Sequence, residues 1–172
     1  TTSAESGTRQ MMIGARVATA PIIRSYSREW QRLLPTVRGR IEPHFVSMPV
    51  RISAIAEEFG LEVLLAPLAA NVSGEIRPIE VFPRRYRIKI NRYEAAVRQR
   101  FTCAHEVAHY LLHEDKISNG IVDSVLYRSQ LSNALEAEAN RLAADLLMPY
   151  PLLRQYVDEF CGGDARSADP KL

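Results

Sequence analysis

The stretch Arg100-Phe101-Thr102-Cys103-Ala104-His105-Glu106-Val107-Ala108-His109-Tyr110-Leu111-Leu112-His113 decides how this chain is read. It closes a segment, from about Tyr93 to His113, that holds neither Gly nor Pro. Val97, Phe101, Ala104, Ala108, Leu111 and Leu112 recur at helical spacing, so the segment is expected to be a helix. Inside it, His105-Glu106-Val107-Ala108-His109 is an HExxH. Two histidines at i and i+4 share one helix face, with Cβ atoms roughly 5–6 Å apart. Both rings can then reach one Zn2+ at about 2.0–2.1 Å. Glu106 is offset around the helix, so it can act on a water beside the metal instead of ligating the ion.

A zinc site needs a third protein ligand. Leu131 to Met148 is rich in Ala, Leu and Glu, has no breaker until Pro149, and is expected to be a second long helix. It carries Glu136 and Glu138, and either can close a His2Glu set that leaves a fourth position for water. His113, four residues past His109, is read as structural or supporting. Cys103 is expected to be a small buried filler.

The remaining elements follow from punctuation and periodicity. Ser25 to Leu34 reads as a short helix ending at Pro35. Pro49 reads as the first-turn residue of a helix through Ile52, Ile55, Ala56 and Phe59, stopped by Gly60. Strands are expected at Leu61 to Leu68, at Glu75 to Phe82 and at Tyr86 to Ile90, the last alternating strictly. Asn119-Gly120 marks a turn, and Pro151 opens a third helix that ends before Cys161. Strands grouped ahead of long helices point to an α+β fold.

Composition removes several function classes. The 172 residues suffice for one domain. Hydrophobic residues at 47% and charged residues at 24% argue against a largely disordered chain. No apolar run reaches the roughly 18 residues that span a bilayer, so no membrane role is expected. A net charge of +2 is low for a nucleic-acid binder, so none is expected to be bound directly. Two cysteines cannot make a disulfide framework, and a reducing compartment is the simpler reading. The near-neutral total hides segregation, because residues 84–100 carry seven basic residues against Glu94 alone. Arg85, Arg87 and Lys89 fall on one strand face, which suits a solvated surface or a docking edge for a partner.

The Arg100–His113 stretch and the stretch Glu136-Ala137-Glu138-Ala139-Asn140-Arg141-Leu142-Ala143-Ala144-Asp145-Leu146-Leu147-Met148-Pro149 together resemble the ImmA/IrrE family of bacterial metallopeptidases. Ile88-Lys89-Ile90-Asn91 and Ile55–Leu65 resemble that family's flanking segments, so the likeness spans roughly residues 50–160. Leu142 stands where Phe is commoner in the family, and Ala108 where Gly is commoner. The resemblance implies a minimal zincin-like fold, with a small antiparallel or mixed sheet packed on the HExxH helix and a Glu-bearing helix. It implies Zn2+ held by His105, His109 and Glu136, with Glu106 as general base and Asn140 bracing a ligand. Support for the oxyanion is left open among Tyr110, Tyr127, Arg128, Arg141 and His113. Residues 1–48 are then an N-terminal extension, partly disordered or helical, residues 49–160 the peptidase domain, and residues 161–172 a loose tail.

The function implied is a cytoplasmic zinc endopeptidase. Its protein partner would be a helix-turn-helix repressor or antitoxin, cleaved to relieve repression in a stress response. The alternative is an interaction protein that keeps the zinc scaffold and neutralises the repressor by binding without cutting.

Overall fold

The structure, a computed structural model, describes residues 25–80, 85–117, 121–124 and 133–160, the backbone alone at 121–124. The elements are α1 (Arg28–Arg32), α2 (Pro35–Ile41), a 3-10 turn (Glu42–His44), α3 (Ile52–Glu58), β1 (Glu62–Ala66), β2 (Val72–Ile79), β3 (Arg85–Asn91), α4 (Ala96–His113), β4 (Ile121–Ser124), α5 (Asn133–Leu147) and α6 (Tyr150–Phe160). The class is α+β, as the element order implies. The strands form one mixed sheet in the order β1-β3-β2-β4. β3 runs parallel to β1 and antiparallel to β2, and β2 runs antiparallel to β4. No helix among the described residues is long and apolar enough to cross a membrane.

The alternation in β3 does what its pattern implies. Tyr86, Ile88 and Ile90 are buried, and α4 packs on the β2–β3 pair. On the other face, Arg87 stands opposite Glu62 of β1 and bonds it at 2.7 Å. Lys89 stands opposite Glu75 of β2 and bonds it at 3.0 Å. Such cross-strand pairs each contribute about 0.2–1 kcal/mol when solvated. Because β3 is interior to the sheet, it offers no free backbone edge, and its Arg87 and Lys89 are paired with carboxylates of the neighbouring strands.

Three local readings shift. Pro35 opens α2 as its first residue instead of only closing α1. Pro49 lies ahead of α3, which begins at Ile52. Val50 is buried there and its carbonyl accepts from Arg100 Nη1 at 2.7 Å, so this segment is tied to α4 before the helix starts. Strand β2 begins at Val72, three residues ahead of the expected start at Glu75, and ends at Ile79. A bulge lies between Val72 and Gly74, and Asn91 Nδ2 secures the entry by donating to Val72 O at 2.9 Å. Strand β4 has no sequence expectation behind it: it is four residues long and draws its definition from pairing with β2. The expected Asn119-Gly120 turn, Cys161 and the chain ends lie outside the described residues.

Gly60 ends α3 as expected. Its φ of +70° is reached freely only without a Cβ. Gly60 N–H donates to Glu57 O and Leu61 N–H to Ala56 O, at 2.9 and 3.0 Å, a Schellman closure.

One continuous core spans the expected boundary at residues 48 and 49. Trp30, Leu33 and Ile41 share it with Ile55, Ile88, Val107 and Leu142. Trp30 stacks on Tyr26 at 4.5 Å and meets Phe45 at 5.6 Å. A five-residue helix such as α1 cannot persist by itself. It is clamped to α5 through Arg32–Glu138 at 3.1 Å, Arg141–Glu29 at 2.8 Å, and Ser27 N and Oγ to Asp145 Oδ2 at 3.1 and 2.5 Å. Positions 138, 141 and 145 share one helix face.

Glu29 is fully buried. The hydrogen bond from Arg141, joined by Arg28, outweighs burial and holds its carboxyl at about 2 against an ordinary 4.5. A depressed carboxyl pKa gives stability that is present above about 4.5 and is lost as pH falls toward about 2. Glu29→Gln is therefore expected to lower the melting temperature at pH 7. The gap to wild type should narrow steadily between pH 4.5 and pH 2.5, both proteins being measured in chelator. A gap that stays constant over this window would contradict the assignment.

Candidate metal centre

Helix α4 carries the HExxH through the middle of the molecule. Thr102 to His109 are all buried, with β2 and β3 packed on α4 from one element pair and α5 from another. Helix α5 runs antiparallel alongside, so Asn140 comes level with His105 and Glu136 with His109. Ala139 and Ala143 of α5, and Ala104 and Ala108 of α4, are fully buried small residues in these facing stretches.

Three ligand-capable groups converge. His105 Nε2 lies 3.0 Å from His109 Nε2. Glu136 places Oε2 at 3.4 Å from the first and Oε1 at 3.3 Å from the second. One donor atom from each residue falls within 4.8 Å of the others, so the group could hold a metal ion. The structure thus brings Glu136 to the histidine pair, while Glu138 goes elsewhere, to His113 Nε2 at 3.2 Å. Glu136 sits in the first turn of α5, where the helix dipole favours a carboxylate.

The charge states suit a cation. Burial lowers the His109 pKa and favours its neutral ring. Burial works the other way on Glu136, but the His105 and His109 rings beside it outweigh burial and hold the carboxyl far below its usual range. His105 Nδ1 donates to Asn140 Oδ1 at 3.0 Å, which leaves its Nε2 as a bare acceptor. A bare imidazole nitrogen facing a carboxylate and a second imidazole is a donor set of the His2Glu kind. The residues present therefore fit a Zn2+ ion.

The other expected residues occupy defined places. Glu106 is fully buried, close to Gly74 of β2 and Thr102. Cys103 is buried as expected, its thiol pushed up to about 12 by burial and by the charge of Glu106. Tyr110 joins an aromatic group with Tyr86 at 5.3 Å and Phe59 at 6.3 Å. Arg141 is engaged with Glu29. Tyr127 and Arg128 lie outside the described residues. His113 is buried, with Nδ1 3.1 Å from His109 Nδ1.

A family model described as the IrrE N-terminal-like domain matches residues 56–163. The chain belongs to the IrrE N-terminal-like family. This agrees with the motif resemblance, and it brings a metallopeptidase-type, typically metal-dependent character with it. No curated protein matches the chain. The family match includes β1–β4 and α4–α6, hence every member of the converging group, but it leaves out α1 and α2.

Gly74 is a site residue that reading the sequence missed. A Cβ at Gly74 would collide with Thr102 Cγ2 and stand 3.2 Å from Lys89 O and 3.3 Å from Glu106 Oε1. The expected strand starts at Glu75 and leaves Gly74 outside; in the structure Gly74 lies inside β2, where a Gly goes with close approach of another group. Gly74→Ala should cost about 1–3 kcal/mol through overpacking. Adding Thr102→Ser, which removes Cγ2, should restore most of that loss in denaturant melts of the four proteins. An unchanged Gly74→Ala midpoint would refute the close approach.

Proposed function

We propose that the protein is a zinc-dependent endopeptidase of the cytoplasm. Its substrate would be a specific protein, a helix-turn-helix repressor or antitoxin, whose cleavage relieves repression in a stress response. The observation that carries the reading is the convergence of His105, His109 and Glu136 on one point, with Glu106 next in the chain to His105. Membership of a metallopeptidase-type family supports it. The choice of a repressor rests on the motif resemblance, and a DNA-binding substrate places the reaction in the cytoplasm.

A bound Zn2+ would polarise the scissile carbonyl and acidify a water toward a pKa of about 7. His105, His109 and Glu136 would hold the ion, and Asn140 fixes the His105 ring through Nδ1. Glu106 would accept a proton as the water oxygen adds to the carbonyl carbon. It would then deliver that proton to the amide nitrogen as the C–N bond breaks, leaving a carboxylic acid, which passes its remaining proton to the amine.

The test uses the purified protein and a helix-turn-helix repressor encoded by a neighbouring gene. Metal analysis should find one zinc per chain, and His109→Ala should lose it. Glu106→Gln should keep the zinc while cleavage falls about 10²–10⁴-fold. Absence of bound metal, or cleavage by Glu106→Gln at the wild-type rate, would sink the peptidase reading. A stable complex without fragments would instead favour the non-cleaving anti-repressor.

A further inference from the structure

His113 ends α4 almost fully buried, yet it is not a member of the converging group. Its two ring nitrogens are both occupied: Nδ1 faces His109 Nδ1 at 3.1 Å and Nε2 faces Glu138 Oε2 at 3.2 Å. Glu138 in turn divides its oxygens, giving Oε1 to Arg32 Nη1 of α1 at 3.1 Å and Oε2 to His113. The result is one continuous chain of side chains, Arg32, Glu138, His113 and His109.

The direction of the protons along this chain follows from chemistry. An ionised carboxylate only accepts, so His113 must donate through Nε2–H. A neutral ring has one N–H, so the Nδ1 of His113 is then a bare acceptor. Two Nδ1 atoms 3.1 Å apart share one proton; once a cation takes Nε2 of His109, its single N–H lies on Nδ1, which the accepting Nδ1 of His113 matches. His109 protonated on Nδ1 has its lone pair on Nε2, the atom that faces His105 and Glu136. The opposite tautomer would aim an N–H at the place where the metal would sit. Glu138 thus selects, through a second imidazole, the form of His109 that can ligate.

We propose that His113 and Glu138 are positioning residues of the metal centre, which lock His109 in its ligating tautomer and ring orientation. This inference rests on the proposed metal reading of His105, His109 and Glu136. Arg32, which lies outside the family match, holds the far oxygen of Glu138, so α1 contributes to the centre from beyond the matched domain. Partners of this kind change metal affinity about 10–100-fold when removed.

The experiment measures zinc affinity by competition against a chelator, alongside ring-nitrogen NMR of the zinc-loaded protein. In the wild-type spectrum, His109 should carry its proton on Nδ1 and His113 on Nε2. His113→Phe keeps bulk but removes the acceptor, and should weaken zinc about 10–100-fold. His113→Asn returns an acceptor at the Nδ1 position and should recover most of the affinity. Glu138→Gln, at the rim of the chain, should fall between wild type and His113→Phe and keeps the test open if the Phe variant does not fold.

Zinc affinity within twofold of wild type in a folded His113→Phe or in Glu138→Gln would overturn the proposal. So would equal losses in the Phe and Asn variants that track their melting temperatures, since packing alone would give that result. A wild-type His113 protonated on Nδ1 would overturn it as well. Failure of the wild type to take up zinc would sink the metal reading itself. Uptake by wild type with no change in the variants sinks this inference alone.

Discussion

A helix buried on every side cannot carry two imidazoles and a carboxylate unless its neighbours satisfy them, and this constraint organises the protein. From Thr102 to His109, α4 has no solvent to turn to. An unpaired buried polar group costs a few kcal/mol, and an unpaired buried charge more. Helix α5 answers with Asn140 and Glu136 on the face that meets His105 and His109. Strand β2 answers with a residue that has no side chain, at the point where Thr102 and Glu106 crowd it. The two imidazoles are thus matched from α5, and the apolar core closes around them.

What could be read in the chain beforehand divides along a physical line. The i, i+4 spacing of His105 and His109 and the unbroken helical period specify α4 locally, because a helix places neighbours by counting alone. The alternation of Tyr86, Ile88 and Ile90 specifies a buried strand face for the same reason. Glu136 and Glu138 could not be separated by counting, since two residues on a helix differ only in the direction they face. The packing of α5 on α4 decides it, sending Glu136 to the histidine pair and Glu138 to His113. Strand β4 and the position of β3 inside the sheet are likewise products of pairing between distant segments. Gly74 was invisible for a related reason: its necessity comes from Thr102, distant in sequence and adjacent in space.

The charge distribution has a similar history. Residues 84–100 look strongly basic when read as a run. In the fold, Arg87 and Lys89 meet glutamates supplied by β1 and β2, and Arg98 reaches Ser73 at 3.1 Å. Part of a run of like charge in sequence is thus paired with opposite charge in space. The same kind of exchange joins α1 to α5, where Glu29 and Arg32 meet Arg141 and Glu138.

That last junction bears on what counts as the unit of inheritance here. The family match begins at Ala56, yet Trp30, Leu33 and Ile41 fill the common core and Glu29 is sealed beneath Arg141. A segment transplanted by recombination at the limits of the match would arrive with an uncovered apolar surface and with Arg141 and Asp145 stripped of their partners. Such a graft would be sticky and poorly soluble even with every motif residue in place. A piece that moves between proteins as a working whole therefore has to reach back at least to Tyr26, some thirty residues upstream of where the family match begins.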